Sequence, residues 1–231
     1  MAADRYRPGE PFFTDEQLAI LKKEGQILQR PPKHLFFKEG EWTNFVLVPL
    51  KGHLKVTKGA PERLIGIRKG LQPVGESSAR YGSPRSANVW SIRDVEVLHL
   101  SANQWNDFVD ENPRVLDALI YMLTSRLGEA DTRLTHSELA AEPRLALALQ
   151  ELIESGLGDE IATGVLLELD HEELAQVSGL SVESVKKIMK IFRDGNLVRT
   201  GRRRVIIQDV PFLRRIATGD RTASARRDTA E

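Results

Sequence analysis

The 231-residue chain contains no cysteine. That absence excludes a disulfide framework, a thiolate-held iron–sulfur cluster and thiol redox sensing together. Aromatic residues make up only 6% of the sequence, and no apolar run approaches the length needed to span a bilayer. The opening Met-Ala-Ala-Asp-Arg-Tyr-Arg-Pro lacks the apolar core of a signal segment, so a cytoplasmic location with no membrane partner is expected. Metal-binding patterns are missing as well: His34, His53, His99, His136 and His171 are scattered, with no pair at i, i+4. There is no P-loop, no Gly-x-Ser-x-Gly elbow and no His-Glu-x-x-His helix, so neither catalytic residues nor a metal site are assigned and an enzyme is not expected. An excess of one charge is also absent, 33 basic residues balancing 33 acidic ones. What remains, 41% hydrophobic residues, suffices for one or two domains with real cores.

The zero net charge hides a steep local asymmetry. From Ser181 to Arg204 eight basic residues face two acidic ones, a net of +6, whereas Leu134 to Leu180 carries −9. The basic stretch lies within Asp170 to Val205, which reads as a winged helix-turn-helix. Asp170 and Glu173 form a capping box for a first helix whose buried stripe is Leu174 and Val177. Gly179 suits the left-handed turn, and Ser181 caps a second helix. There Val185, Ile188, Met189 and Phe192, at i, i+3, i+4 and i+7, form a core face, while Glu183, Lys187 and Lys190 lie opposite. A hairpin follows, Leu197 to Thr200 and Arg204 to Gln208, with Arg202, Arg203 and Arg204 expected at its tip and directed at phosphates. The partner implied is double-stranded DNA.

The N-terminal half is different in kind. Thr14-Asp15-Glu16-Gln17 opens a short helix ending near Gly25. Seven brief apolar or alternating segments follow: Gln26 to Gln29, His34 to Phe37, Asn44 to Leu50, His53 to Thr57, Leu64 to Ile67, Asn88 to Ile92 and Val95 to Leu100. Short strands at this spacing predict a β-sandwich or small barrel, and the glycines that punctuate them suit a tightly turning β-roll. A single long helix is then launched by Asn112-Pro113, the pair supplying an N-cap and a proline at the first helical position. Along it Leu116, Ile120, Leu123, Leu127, Ala130 and Leu134 recur at spacings of four and three, the seam of a helix that pairs with a partner helix, so a homodimer is expected. Leu119 and Met122 are left to face the helix's own domain. The periodicity breaks at Ala140-Ala141-Glu142-Pro143, and residues 214–231 are expected to be a flexible tail.

A β-roll, one long dimer helix and a C-terminal winged helix-turn-helix, in this order, resemble the CRP/FNR family of bacterial transcription regulators from about Gln26 to Leu213. The most specific match is Gly75-Glu76 with, nine positions beyond Glu76, Arg85-Ser86-Ala87, which looks like the family's phosphate-binding cassette. The resemblance implies an α+β fold: a cyclic-nucleotide-binding β-roll over residues 1–112, a dimerisation helix and hinge over 113–139, the DNA-binding domain over 140–213, then the tail. It implies cyclic AMP or a related cyclic nucleotide as effector, held by Gly75, Glu76, Ser77, Arg85 and Ser86. Glu76 would take the ribose hydroxyl, Arg85 would fork the phosphate, and Arg126 would pair with Glu76. Asp131 or Thr132 would meet the base, although Ala130 and Asp131 stand where cyclic-AMP-binding members place hydroxyl residues. In the recognition helix Ser181, Val182, Glu183, Ser184, Lys186, Lys187 and Lys190, with wing residues Arg202, Arg203 and Arg204, are implied to meet DNA. Val182 replaces a common guanine-reading arginine, which implies a different site. Two-fold-related DNA half-sites and RNA polymerase complete the implied partners. The alternatives are the same fold acting without ligand or with a cyclic dinucleotide, and a cyclic-nucleotide-controlled module that does not bind DNA.

Overall fold

The computed structural model describes residues 5–223, which fall into two compact units divided between Asp131 and Thr132. In the first, α1 (Asp15–Glu24) starts at a reciprocal capping box of Thr14 and Gln17 and ends at Gly25. Then come β1 (Gln26–Arg30), β2 (Leu35–Phe37), β3 (Phe45–Lys51), β4 (Leu54–Lys58), β5 (Arg63–Arg68), a short helix α2 (Glu76–Tyr81), β6 (Asn88–Ser91) and β7 (Val95–Ser101). All seven expected strands are present, each end within one residue. They pair antiparallel in two sheets, ordered β1-β7-β3 and β2-β6-β4-β5. Strands β3 and β7 are buried on both faces, which is why they read as nearly continuous apolar runs. Val46, Val48, Leu98 and Leu100 pack with Phe13, Trp105 and Phe108, whereas Leu47, Val95 and Val97 join Phe37, Leu54, Val56 and Val89 between the sheets.

Two helices, not one, follow the roll: α3 (Ala102–Glu111) and α4 (Pro113–His136). The first departs from expectation, yet Ser101 and Gln104 form a capping box for it, and Trp105, Phe108 and Val109 bury its apolar face. Asn112 is not the side-chain cap of α4. Its amide donates to the Phe108 carbonyl and its oxygen accepts from Gln17 Nε2, so it closes α3 instead. Pro113 does begin α4, and the helix divides its faces as the spacing requires. Val115, Ala118, Leu119 and Met122 are buried, whereas Leu116, Ile120, Leu127 and Leu134 are 47–69% exposed.

The second unit contains α5 (Ala141–Glu154), β8 (Asp159–Ile161), β9 (Gly164–Leu167), α6 (His171–Ser178), α7 (Val182–Asp194), β10 (Val198–Gly201), β11 (Arg204–Ile207) and α8 (Val210–Ala217). The β8–β9 hairpin is an addition to the sequence reading. It continues the wing, β11 pairing with β9 in the order β10-β11-β9-β8. Leu145, Leu149 and Leu152 of α5, Val185 and Phe192 of α7, and Leu213 and Ile216 of α8 are all buried.

The tail assignment needs correction at its start. Asp209 accepts from Phe212 N to cap α8, Pro211 sits in its first turn, and Leu213, Ile216 and Ala217 are buried on a helix packed against α5. Farther on, Ala223 N donates to Glu142 Oε1 at 2.6 Å. A basic-rich composition concealed the helix, because its three apolar positions alone fix its face. The remainder of the expected tail, residues 224–231, lies outside the described residues. Ile216→Ala should therefore lower the unfolding free energy of the full chain by about 2–5 kcal/mol, as core truncations do; urea titration measures this, and a change below about 0.5 kcal/mol would return Ile216 to the tail.

Candidate functional site

The roll holds a cavity of about 240 Å³ lined by Phe37, Val56, Ile65, Arg68, Val74 to Ser78, Arg85 to Ala87, Val89, Leu123 and Arg126. Its floor is fixed from the chain outward. Val74 exchanges backbone hydrogen bonds with Leu47 of β3, which anchors the residues entering the turn. Gly75 has φ of 87°, and a Cβ there would collide with Arg85 Nη1 and lie 3.2 Å from the Phe45 carbonyl. Only glycine fits both demands. Glu76 then opens α2 with its carboxylate buried.

Arg126, from α4, reaches this turn. Its Nη1 donates to Glu76 Oε1 and its Nη2 to the Pro73 carbonyl, each at 2.8 Å, while its buried Nε has no hydrogen-bond partner. The pairing implied by the resemblance is thus present in the geometry. Arg85 differs from expectation. It is 2% exposed, and its fork is turned into the protein: Nε donates to Thr43 Oγ1 at 2.6 Å, Nη1 to Gly75 O at 3.0 Å and Nη2 to Phe45 O at 2.6 Å. The guanidinium also sits over the rings of Phe37 and Phe45 at 4.1 and 4.7 Å. Burial lowers its pKa to about 10, against the pull of Glu76 and Glu41, so it remains charged at neutral pH. Three of its five N–H groups have protein acceptors.

The structure brings Gly75, Glu76, Ser77, Arg85, Ser86 and Arg126 to one cavity. Ser77 and Ser86 are exposed at its rim. Asp131 and Thr132 do not line it; they are exposed, farther along α4. Arg68 does line it, with its side chain 10% exposed. It was not assigned from sequence because it lies outside the cassette, and only strand β5 places it there. Three arginines around one lining carboxylate make this a cradle for an anion.

The second candidate surface belongs to the other unit. Asp170 and Glu173 form the reciprocal capping box of α6, Gly179 takes φ of 65°, and Ser181 accepts from Ser184 N to start α7. Val185, Ile188, Met189 and Phe192 are buried, while Ser181, Glu183, Lys186, Lys187 and Lys190 are exposed and Val182 and Ser184 partly so. Val177, expected in the buried stripe of α6, is only partly covered. The Ser181 and Ser184 hydroxyls bond each other at 2.9 Å, and Lys187 pairs with Glu183 at 3.1 Å. Arg202 and Arg204 are exposed at the wing. Arg203 is not directed outward with them. Its φ is 54°, and it donates to Asp170 Oδ2 at 2.6 Å and to Glu173 Oε2 at 3.2 Å, tying the wing to the start of α6.

Comparison with known proteins matches a domain model to each unit. A cyclic nucleotide-binding domain model matches residues 28–112, and a Crp-like helix-turn-helix domain model matches residues 143–216. The chain belongs to the CRP/FNR family of transcription regulators. A cyclic AMP receptor protein of Thermus thermophilus is 28% identical over 218 residues, covering 91% of this chain and 98% of the relative. A CRP-like cAMP-activated global transcriptional regulator of Mycobacterium tuberculosis is 27% identical over 205 residues, covering 87% and 92%. The fold matches that of the c-di-GMP responsive global regulator CLP of Xanthomonas campestris with a TM-score of 0.76 at 16% identity, covering 85% of this chain and all of the other. This CRP/FNR regulator is a DNA-binding protein with a cyclic nucleotide-binding domain. Among the described residues no helix is long and apolar enough to cross a membrane, and no group of acidic and histidine side chains is placed to hold a metal.

The inward hydrogen bonds of Arg85 generate a stability prediction. Arg85→Ala should strip the Phe45 carbonyl of its guanidinium donor and leave the Gly75 carbonyl with the Ala79 N–H alone, at a cost of about 1–3 kcal/mol. Urea unfolding of the protein without added nucleotide measures it; wild-type stability in the variant would mean that the clamp is not structural.

Proposed function

We propose that this regulator acts as a homodimer whose rolls bind a purine 3′,5′-cyclic nucleotide, cyclic AMP first among them, and that the bound nucleotide tunes recognition of two-fold-related DNA half-sites. The observation that carries the reading is the cluster of Glu76, Arg85 and Arg126 around one cavity, with a buried Arg126 donor unpartnered by the protein. A buried N–H without an acceptor is costly, and a ligand oxygen would supply one. Ser77 and Ser86 at the rim and the close backbone at Gly75 suit a sugar–phosphate. The names of the Thermus and Mycobacterium relatives favour cyclic AMP. The second reading, a cyclic dinucleotide, is named for the Xanthomonas protein, whose likeness extends to the fold. Calorimetry of the full chain against cyclic AMP, cyclic GMP and cyclic di-GMP tests these together. Binding of a cyclic mononucleotide is expected, and binding of none of the three would overturn the effector site.

The uncovered side of α4 supports the dimer. Leu116, Ile120, Leu123, Leu127 and Leu134 are all at least 42% exposed and recur as a seam needs. Two recognition helices so joined would meet half-sites about one helical turn, ~34 Å, apart. The protein would work in the cytoplasm at promoters, with RNA polymerase as the partner that reads the outcome. Leu116→Glu combined with Leu127→Glu should give monomers in sedimentation, because like charges would face each other across the two-fold axis. A wild-type monomer at micromolar concentration would exclude the seam.

Residues 181–184, 186, 187 and 190 of the recognition helix, with the wing, are the proposed DNA contacts. The tie on Arg203 separates the wing arginines into two kinds. Arg202→Ala and Arg204→Ala should weaken all DNA sequences alike and flatten the plot of log affinity against log salt by roughly 0.9 for each phosphate no longer neutralised. Arg203→Ala should leave that slope unchanged. Lys187→Ala should cost about 1–3 kcal/mol on the cognate site and relax base preference there. Salt-controlled binding titrations read all four variants, and an unaltered site preference in Lys187→Ala would remove that residue from the base-reading set.

A further inference from the structure

Helix α2 carries three residues of the cavity wall, Glu76, Ser77 and Ser78, yet has little of its own to hold it in place. Its six residues are too few for a helix that persists without tertiary support. Its one buried apolar side chain is Ala79, a single methyl group in the cluster that includes Ala102, Trp105 and Val109 of α3. Polar contacts from α3 supply more of the seat. Asn106 Nδ2 donates at 3.2 Å to the carbonyl of Ala79, in the last turn of α2, where carbonyl groups lack a partner within the helix. Asn106 does so at a cost, because its own Oδ1 is buried with no hydrogen-bond partner among the described residues. One turn farther along α3, Asp110 Oδ1 stands 2.7 Å from Arg80 Nη2, with side chains 58% and 42% exposed. Helix α3 is itself fixed, by Trp105 and Phe108 in the core and by Gln104 Nε2, which donates to the Glu24 carbonyl at 2.6 Å.

We infer that Asn106 and Asp110 are positioning residues of the nucleotide site: they seat α2 on α3 and thereby set where Glu76, Ser77 and Ser78 stand in the cavity. This rests on the cyclic-nucleotide reading of the cavity and deepens it. A ligand that needs these three residues together binds only molecules in which α2 is seated, so its apparent Kd is the intrinsic Kd divided by the seated fraction. A large apolar side chain buried from α2 would make that fraction insensitive to any single polar contact. With only the Ala79 methyl group buried, the loss of one hydrogen bond or one ion pair lowers it directly. The same contacts weigh little on the stability of the fold. An ion pair as exposed as that of Arg80 and Asp110 adds little to the unfolding free energy, and a short helix can leave its seat while the sheets and α3 stay folded. Affinity and stability therefore separate, which a merely structural role for these residues would not allow.

Calorimetric titration of the full chain with cyclic AMP and cyclic GMP, beside urea unfolding of the same proteins without nucleotide, decides the matter. The proteins are wild type, Asn106→Leu, Arg80→Asp, Asp110→Arg and the double variant that combines the two charge reversals. Each single reversal sets like charges against each other and should raise the Kd roughly threefold to tenfold with the urea midpoint unchanged. The double variant restores the pair with its signs exchanged, so its Kd should return to within about twofold of wild type. Asn106→Leu removes the donor and the orphaned oxygen together, and should raise the Kd roughly fivefold without lowering the midpoint. A Kd unmoved by both single reversals, or still raised in the double variant, would overturn the inference while leaving the effector site intact. So would a Kd that rises only where the midpoint falls. A wild type that binds neither nucleotide would overturn both the inference and the reading beneath it.

Discussion

The roll is organised around one buried charge. Placing a guanidinium in a protein interior is costly unless hydrogen bonds replace its water, and Arg85 meets that condition with Thr43, the Phe45 carbonyl and the Gly75 carbonyl. These acceptors lie on separate segments, so satisfying one side chain fixes their relative positions. The loop before β3, β3 itself and the turn ahead of α2 are joined at a single point. Glycine at position 75 is part of the same requirement, because any Cβ there would strike the guanidinium. The turn so fixed presents the Glu76 carboxylate and the Pro73 carbonyl to Arg126 of α4, which makes the second contact of the network possible.

In the other unit the arrangement of charge departs from its linear count. A net of +6 between Ser181 and Arg204 suggests an unbroken basic surface, but Arg203 folds back onto two carboxylates of the acidic segment before it. The capping box of α6 is therefore doubly used: each carboxylate accepts a backbone N–H of the box, and both accept from Arg203. Such partly exposed pairs contribute modestly to stability, and their geometric effect is the larger one. They hold the wing turn against the helix-turn-helix and leave Arg202 and Arg204 as the outward charges.

Sequence periodicity exposed whatever depended on local rules. The seven strands, the capping boxes at Thr14 and Asp170, the glycine turn at 179 and the core face of α7 all follow from residues within a few positions of one another. Helix α3 carried an equally good local signal in Ser101 and Gln104, obscured because it begins immediately where β7 ends. The cavity was legible only through its cassette motif. Thr43, Phe45 and Arg68 have no motif to mark them, and their part in the cavity exists only after β3, β5 and the turn at Gly75 come together. The misplacement of Arg203 has the same origin, since its partners stand 33 and 30 residues away in sequence.

Helix α4 joins the two proposed activities of the first unit. Arg126 reaches the cavity from the same helix whose other side carries Leu116, Ile120 and Leu127. A ligand that satisfies Arg126 Nε stabilises one placement of that helix relative to the roll, and in a dimer the same placement sets how the two seams meet. Contact alone does not amount to control. A ligand shifts an equilibrium between two placements only by the difference in its affinity for them, and moving a population from 1:99 to 99:1 requires about 10⁴-fold, or ~5.5 kcal/mol. One charge-assisted hydrogen bond, worth roughly 1.5–3 kcal/mol, falls short of that. Full switching would thus require several interactions that change together, and on α4 the pocket offers Arg126, joined to Glu76, and Leu123 one turn before it. A nucleotide that engages only the cassette would bind tightly and regulate weakly, whereas one that also engages the cavity side of α4, where Leu123 and Arg126 line it, would act on that helix directly.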